Sequence, residues 1–140
     1  MSLSLSRVEE AQEQYYTQAL AELKTGCKRT HWMWFIFPQI KGLGYSEKSK
    51  YYAIQSMEEA KEYLSHPMLG RRLRELCHIL LGLEENNPTT VFGKPDDQKL
   101  QSCMTLFALA NEEDSLFTKV LDKFFDGKRD RITEQLVKGI

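Results

Sequence analysis

Residues 30–54 read THWMWFIFPQIKGLGYSEKSKYYAI, and the assignment of 31–37 within them decides the fold class. The aromatic and β-branched content of 31–37 favours a strand. Both faces would be apolar, however, so periodicity does not separate strand from helix. A lone strand leaves its backbone N–H and C=O groups unpaired, and the only other β-like stretch is Thr89 to Phe92. The reading adopted is a short buried helix, capped by Thr30 and ended before Pro38. A two-stranded ribbon with 89–92 is the fallback.

On either side, helical signals dominate. Ser6 and Glu9 have capping-box spacing. Val8, Ala11, Tyr15, Ala19 and Leu23 form one apolar stripe down to Lys24, and Gly26 supplies the stop. Ser46 caps a helix carrying Tyr51, Tyr52 and Ile54, and Ser56 with Glu59 opens another to about Leu64. Pro67 stands at the first position of the next helix, whose Leu69, Leu73, Leu76, Cys77, Leu80 and Leu81 make it the expected centre of the core. Val91-Phe92-Gly93 reads as a connection. Pro95 starts a helix that runs to about Ala110, Ser115 caps one that Gly127 stops, and Asp130 caps a last one. The sum is an all-α, compact single domain over residues 1–140, with about seven or eight helices and at most a tiny ribbon.

The bulk numbers agree. A 140-residue chain buries roughly 70% of its unfolded surface, so it needs no disulfide or metal to fold. With 41% apolar and 28% charged residues it is globular rather than disordered. A net charge of -1 builds no basic field for nucleic acid. The N-terminal MSLSLSRVEEAQ has neither the basic nor the apolar region of a signal peptide, and Trp32 to Pro38 is too short to span a bilayer. Cys27, Cys77 and Cys103 lack metal-ligand spacing and read as reduced, buried thiols. The expectation is a cytoplasmic protein with no metal, no cofactor and no membrane partner.

The run HWMWFIFPQIKGLGYSEKSKYYAI, together with PDDQKLQSCMTLFALA, resembles a bacterial family called domain of unknown function 1810. The matched pattern includes His31, Trp32, Trp34, Gln39, Gly42, Gly44, Ser46, Ser49 and Tyr52, and continues at Asp96, Lys99, Ser102 and Thr105. At Cys103 the chain departs from an expected serine. The resemblance implies a compact multihelical domain and carries no settled activity. Some members bear the label "calpastatin", but that inhibitor is a long disordered chain, and this sequence has a full core pattern. In length, aromatic motif and Gly-rich loop the chain is also similar to the superfamily that processes NAD-derived and ADP-ribose compounds, a fold-level analogy.

The chemistry-bearing residues fall in the same two runs. His31 either bonds a helix end or lends its near-neutral pKa to acid–base work. Trp34 and Trp32 lie two apart and face about 200° away from each other in a helix, so one of them, Trp34, is the candidate stacking surface. Gly42-Leu43-Gly44 before Ser46 is either a plain turn or a loop whose N–H groups approach phosphate, with Lys41 adding charge. Ser49 and Tyr52 lie one turn apart. Asp96 is either a cap or an acid–base group, and Lys99, Ser102 and Thr105 continue its row at intervals of three. Together these residues predict a binder or hydrolase for a phosphate-bearing nucleotide or ADP-ribose-like ligand. In its catalytic form it would cleave an N-glycosidic bond, with His31, Asp96 and Lys99 at the reacting centre. The alternative is a non-catalytic module whose aromatic run forms a groove for a protein partner.

Overall fold

The computed structural model describes residues 5–139, so the start of the run read above for a signal peptide, residues 1–4, lies outside them. Among the described residues there are nine helices and no strand. In chain order they are α1 (Ser6–Lys24), α2 (Met33–Ile36), α3 (Glu47–Tyr52), α4 (Met57–Ser65), α5 (Leu69–Gly82), α6 (Pro88–Phe92), α7 (Asp96–Ala110), α8 (Leu116–Phe125) and α9 (Arg131–Lys138). The all-α expectation therefore holds, with one helix more than counted from the sequence. The additional helix is α6, which replaces the connection and the fallback ribbon at 89–92. Asn87 accepts from the Thr89 N–H and Pro88 occupies the first turn, where its missing donor costs nothing.

The run 31–37 is a single helical turn, but Thr30 does not cap it; Trp32 stands at the boundary. The backbone N–H and hydroxyl of Thr30 both donate to Glu22, at 3.1 and 2.6 Å, which removes Thr30 from the capping position. Ser6 is likewise inside α1 rather than before it, and the Glu9 carboxylate meets His66 Nε2 at 2.8 Å across the fold. Pro67 precedes α5 by two residues. The start of α5 is held by His66, whose Nδ1 accepts from the Met68 and Leu69 N–H groups at 3.1 Å each. With Nδ1 as acceptor, Nε2 carries the proton that it donates to Glu9. Ser115 gives no side-chain cap to α8; Asp114 accepts from the Leu116 N–H instead. Ser46, Ser56 and Asp130 cap as their sequence contexts predict.

The centre of the core is α7, not α5. Helix α5 carries Arg71, Glu75 and His78 on an exposed face, whereas α7 from Ser102 to Ala108 is buried without interruption. It packs against α4, α6, α8 and α9. Phe107 meets Tyr63 of α4 and Phe117 of α8 at ring separations of 5.1 and 5.9 Å. Cys77 and Cys103 are fully buried, and burial pushes both thiols up; Cys27 is exposed, against the expectation of three buried thiols. Cys27 follows the end of α1, where the chain turns at the surface through Gly26.

Candidate functional site

Two features fix the Gly-rich segment. At its base Ile40 and Ile54 form a single parallel bridge: the Lys41 N–H donates to Ile54 O and the Ile54 N–H to Gln39 O, each at 2.8 Å. Ile54 therefore leaves α3, which stops at Tyr52, and pins both ends of the intervening loop. At its tip the Gly44 backbone lies so close to α3 that an added Cβ would stand 2.4 Å from Ser49 Cβ. Gly42 has a φ of +109°, and a Cβ there would meet the Leu136 side chain of α9 at 3.2 Å. Glycine is thus required at 44 by space and at 42 by conformation.

This loop, α7 and α9 enclose a cleft of about 470 Å³. Gln39, Leu43, Gly44 and Ser49 line it from the loop and α3. Pro95, Gln98, Lys99, Gln101 and Ser102 line it from α7, and Asp130 and Ile132 from α9. The two sequence-distant runs expected to share an indentation do meet here. Beneath it is a small recess lined by Trp34, Gln39, Ile40, Gly44, Ser49 and Ala53. Trp34 is half-buried, with Lys99 Nζ 5.3 Å and Lys48 Nζ 4.8 Å from its ring centroid. Trp32 is fully buried, so the tryptophan favoured for the site is the one the fold leaves accessible.

Charge in the cleft comes from Lys99 and Asp130. One Asp96 carboxylate serves two ammonium groups, Lys28 at 2.8 Å and Lys99 at 3.6 Å, so it holds Lys99 in place and does not itself line the cleft. The neighbouring Asp97 is buried and structural: it accepts from the Thr89 hydroxyl at 2.7 Å and ties α6 to α7. Ser49 Oγ accepts from the Ser46 hydroxyl at 2.9 Å, and Ser102 donates back to Gln98 O at 3.2 Å. Thr105 is fully buried, donates to Gln101 O at 2.8 Å and accepts from the Asp130 N–H at 2.9 Å. It therefore positions α9 from behind the cleft.

The remaining expected site residues are elsewhere. Lys41 and Gly42 face a separate indentation of about 450 Å³ on the other side of the loop, shared with Tyr45, Lys50 and Gln55. His31 and Tyr52 line a groove of about 320 Å³ between α1 and α3, with Arg7, Glu10, Gln14, Tyr15, Lys48 and Tyr51 on its walls and Phe35 also lining it. Burial, then the neighbouring Tyr51, Tyr15 and Glu10, push the Tyr52 phenol up. Among the described residues His31 and Lys99 line different indentations. Ser46 lies outside the cleft and acts as the α3 cap, accepting from the Ser49 N–H at 3.1 Å. The sequence reading missed Gln98, Gln101, Asp130 and Ile132. Gln98 and Gln101 stand at helical spacing with the polar row on α7, a signal that was readable; nothing local assigned α9 to this wall.

Glu22 organises the other polar centre. It is buried and accepts from Arg29 N–H (2.7 Å), Thr30 N–H and hydroxyl, Trp32 Nε1–H (3.0 Å) and Gln18 Nε2 (3.3 Å). Burial alone raises its carboxyl, but the hydrogen bonds from Thr30, Arg29 and Trp32 outweigh it and lower the pKa to about 2.

Among the described residues no three His, Cys, Asp or Glu side chains cluster as metal ligands, and no helix is long and apolar enough to cross a membrane. No curated protein matches the chain. It is similar to the conserved hypothetical protein Rv1873 from Mycobacterium tuberculosis, solved as a crystal structure at 1.38 Å. The identity is 43% over 96% of each chain, with a TM-score of 0.93. The family model described as "Protein of unknown function (DUF1810)" matches residues 2–137, and with that extent of agreement the chain belongs to the DUF1810 family.

Proposed function

We propose that this protein is a cytoplasmic small-molecule binder whose ligand is a phosphate-bearing nucleotide or ADP-ribose-like compound, held in the cleft between the Gly-rich loop, α7 and α9. The observation that carries this reading is the lining of that cleft. One ammonium group, Lys99, is pre-positioned by Asp96 and Trp34 among amides and hydroxyls from Gln39, Gln98, Gln101, Ser49 and Ser102. A phosphate takes the ammonium as a charge-assisted partner, and the neutral polar groups suit a ribosyl part. Trp34 lines an adjoining recess of only about 10 Å³, too small for a base, and so acts through Lys99 rather than as a stacking surface.

The hydrolytic form of this reading needs an acid–base group beside Lys99. His31 faces the α1–α3 groove and Asp96 is shared by two lysines, so binding without turnover is the function put forward. For the partner-peptide alternative, Trp32, Phe35 and Phe37 are in the core, which leaves the half-buried Trp34 as the aromatic of that run open to a partner; Tyr15, Tyr45 and Tyr51 are the exposed large aromatic side chains among the described residues. Isothermal titration with ADP-ribose, NAD and AMP is the test. Saturable heat that falls about tenfold in affinity in Lys99→Ala supports the reading, the loss expected for one charged hydrogen bond. A flat trace for all of these ligands in the wild type overturns it.

A further inference from the structure

Asp130 is held from three directions. Its N–H donates to the Thr105 hydroxyl at 2.9 Å, and its Oδ2 accepts from the Thr133 N–H at 2.9 Å and the Thr133 hydroxyl at 2.5 Å. Among the described residues nothing donates to its Oδ1, and the residue lines the cleft. Two other groups that line the cleft offer acceptors. The Ser102 hydroxyl proton is committed to Gln98 O, which leaves its lone pairs, and the Gln101 amide, with one N–H committed to Lys128 O at 3.0 Å, keeps its oxygen and its second N–H. Asp130 is bonded to α7 at Thr105, six residues beyond Lys99, or about 9 Å along the helix axis. The cleft is therefore polarised, with a cation toward the start of α7 and surplus acceptors further along it.

Resting on the binding function proposed above, we infer that the ligand is a sugar phosphate with adjacent free hydroxyls, and that Asp130 is its specificity-determining residue. The phosphate lies at Lys99, and the hydroxyls donate to Asp130 Oδ1, Gln101 and Ser102. An acceptor-rich wall has no use for a second phosphate or a carboxylate, which would bring more lone pairs against an anion. A pair of sugar hydroxyls brings donors for the open Asp130 oxygen and the Ser102 lone pairs, and a carboxylate acceptor makes such bonds strong. Thr133 and Thr105 fix the carboxylate before the ligand arrives, so little ordering entropy is lost on binding.

The test is titration of wild type and Asp130→Asn with ribose 5-phosphate, 2-deoxyribose 5-phosphate and inorganic phosphate. Asparagine caps a helix as well as aspartate does, so the variant keeps α9 in place; an unchanged melting curve verifies this, and Asp130→Ser serves as a second capping variant. The expected result is that wild type prefers the ribose compound over its deoxy analogue about tenfold. In both variants that preference disappears while phosphate affinity is kept or rises. Equal affinity of wild type for the two sugars, or a preference that survives both substitutions, overturns the inference and leaves the Lys99 phosphate site standing. No binding of any of the three overturns the inference as well, while the ADP-ribose, NAD and AMP titration above decides the binding function separately.

Discussion

Glu22 and Asp130 are both carboxylates at which hydrogen bonds converge on a single turn, and they differ in what is left over. Glu22 is buried, and its oxygens receive donors from Gln18, Arg29, Thr30 and Trp32. Asp130 gives one oxygen to the start of α9, receives no donor on the other among the described residues, and lines the cleft. A saturated buried network specifies a conformation, whereas an unsaturated one at an opening is available to a ligand. The same contrast separates the two tryptophans: Trp32 donates to Glu22 inside the core, and Trp34 lies half-buried with two ammonium groups near its ring.

The largest expected effect is on the saturated side. Glu22→Ala leaves the Trp32 indole N–H and the Arg29 and Thr30 amides without partners, and should cost about 3 kcal/mol or more, measured by urea unfolding. A cost below about 1 kcal/mol would mean that water replaces the carboxylate and that the network is not structural. Acid provides an independent check. The folded-state pKa of Glu22 is about 2, below its ordinary value of 4.5. Its contribution is therefore fully present above about pH 4.5 and is lost as the pH falls through 2, by about 3 kcal/mol in total. Glu22→Gln should flatten that part of the stability–pH curve; an unchanged curve assigns acid sensitivity to other carboxylates.

Smaller effects are expected where the cleft is assembled. Gly44→Ala places a methyl group 2.4 Å from Ser49 Cβ and should cost about 1–3 kcal/mol. Thr105→Val keeps the side-chain shape but removes the acceptor for the Asp130 N–H, at about 1–2 kcal/mol. Amide hydrogen exchange should then rise at the start of α9 and not in α7. The smallest change in stability belongs to Lys99→Ala, within about 1 kcal/mol because its ion pair is partly solvated. A larger loss there would move Lys99 from the ligand-facing group to the structural one.

Much of the helical layout was legible, because capping residues and apolar stripes act locally. Ser46, Ser56 and Asp130 cap where their contexts say, and the ends of α1 and α7 follow from Gly26 and from the apolar run to Ala110. Three of the misreadings share one cause: a side chain with a local use was taken by a partner outside its own turn. Glu22 claims Thr30, His66 claims Glu9, and Ile40 draws Ile54 out of α3. The site divides the same way. The meeting of the Gly-rich loop with α7 was visible in the polar character of both runs. The assignment of His31 to a different groove and of Asp130 to this one depends on how α1 and α9 pack, which no local pattern encodes.

The claim on which the rest depends is that the cleft of Gly44, Lys99 and Asp130 is built to be occupied, while the Glu22 centre is complete as it stands. Amide chemical-shift mapping during titration with ADP-ribose addresses it directly. Saturable shifts at Gly44, Lys99, Ser102 and Asp130, with Arg29 to Trp32 unmoved, are the predicted result. Shifts confined to Arg7–Tyr15 and Lys48–Tyr52, or none at any residue, would contradict it.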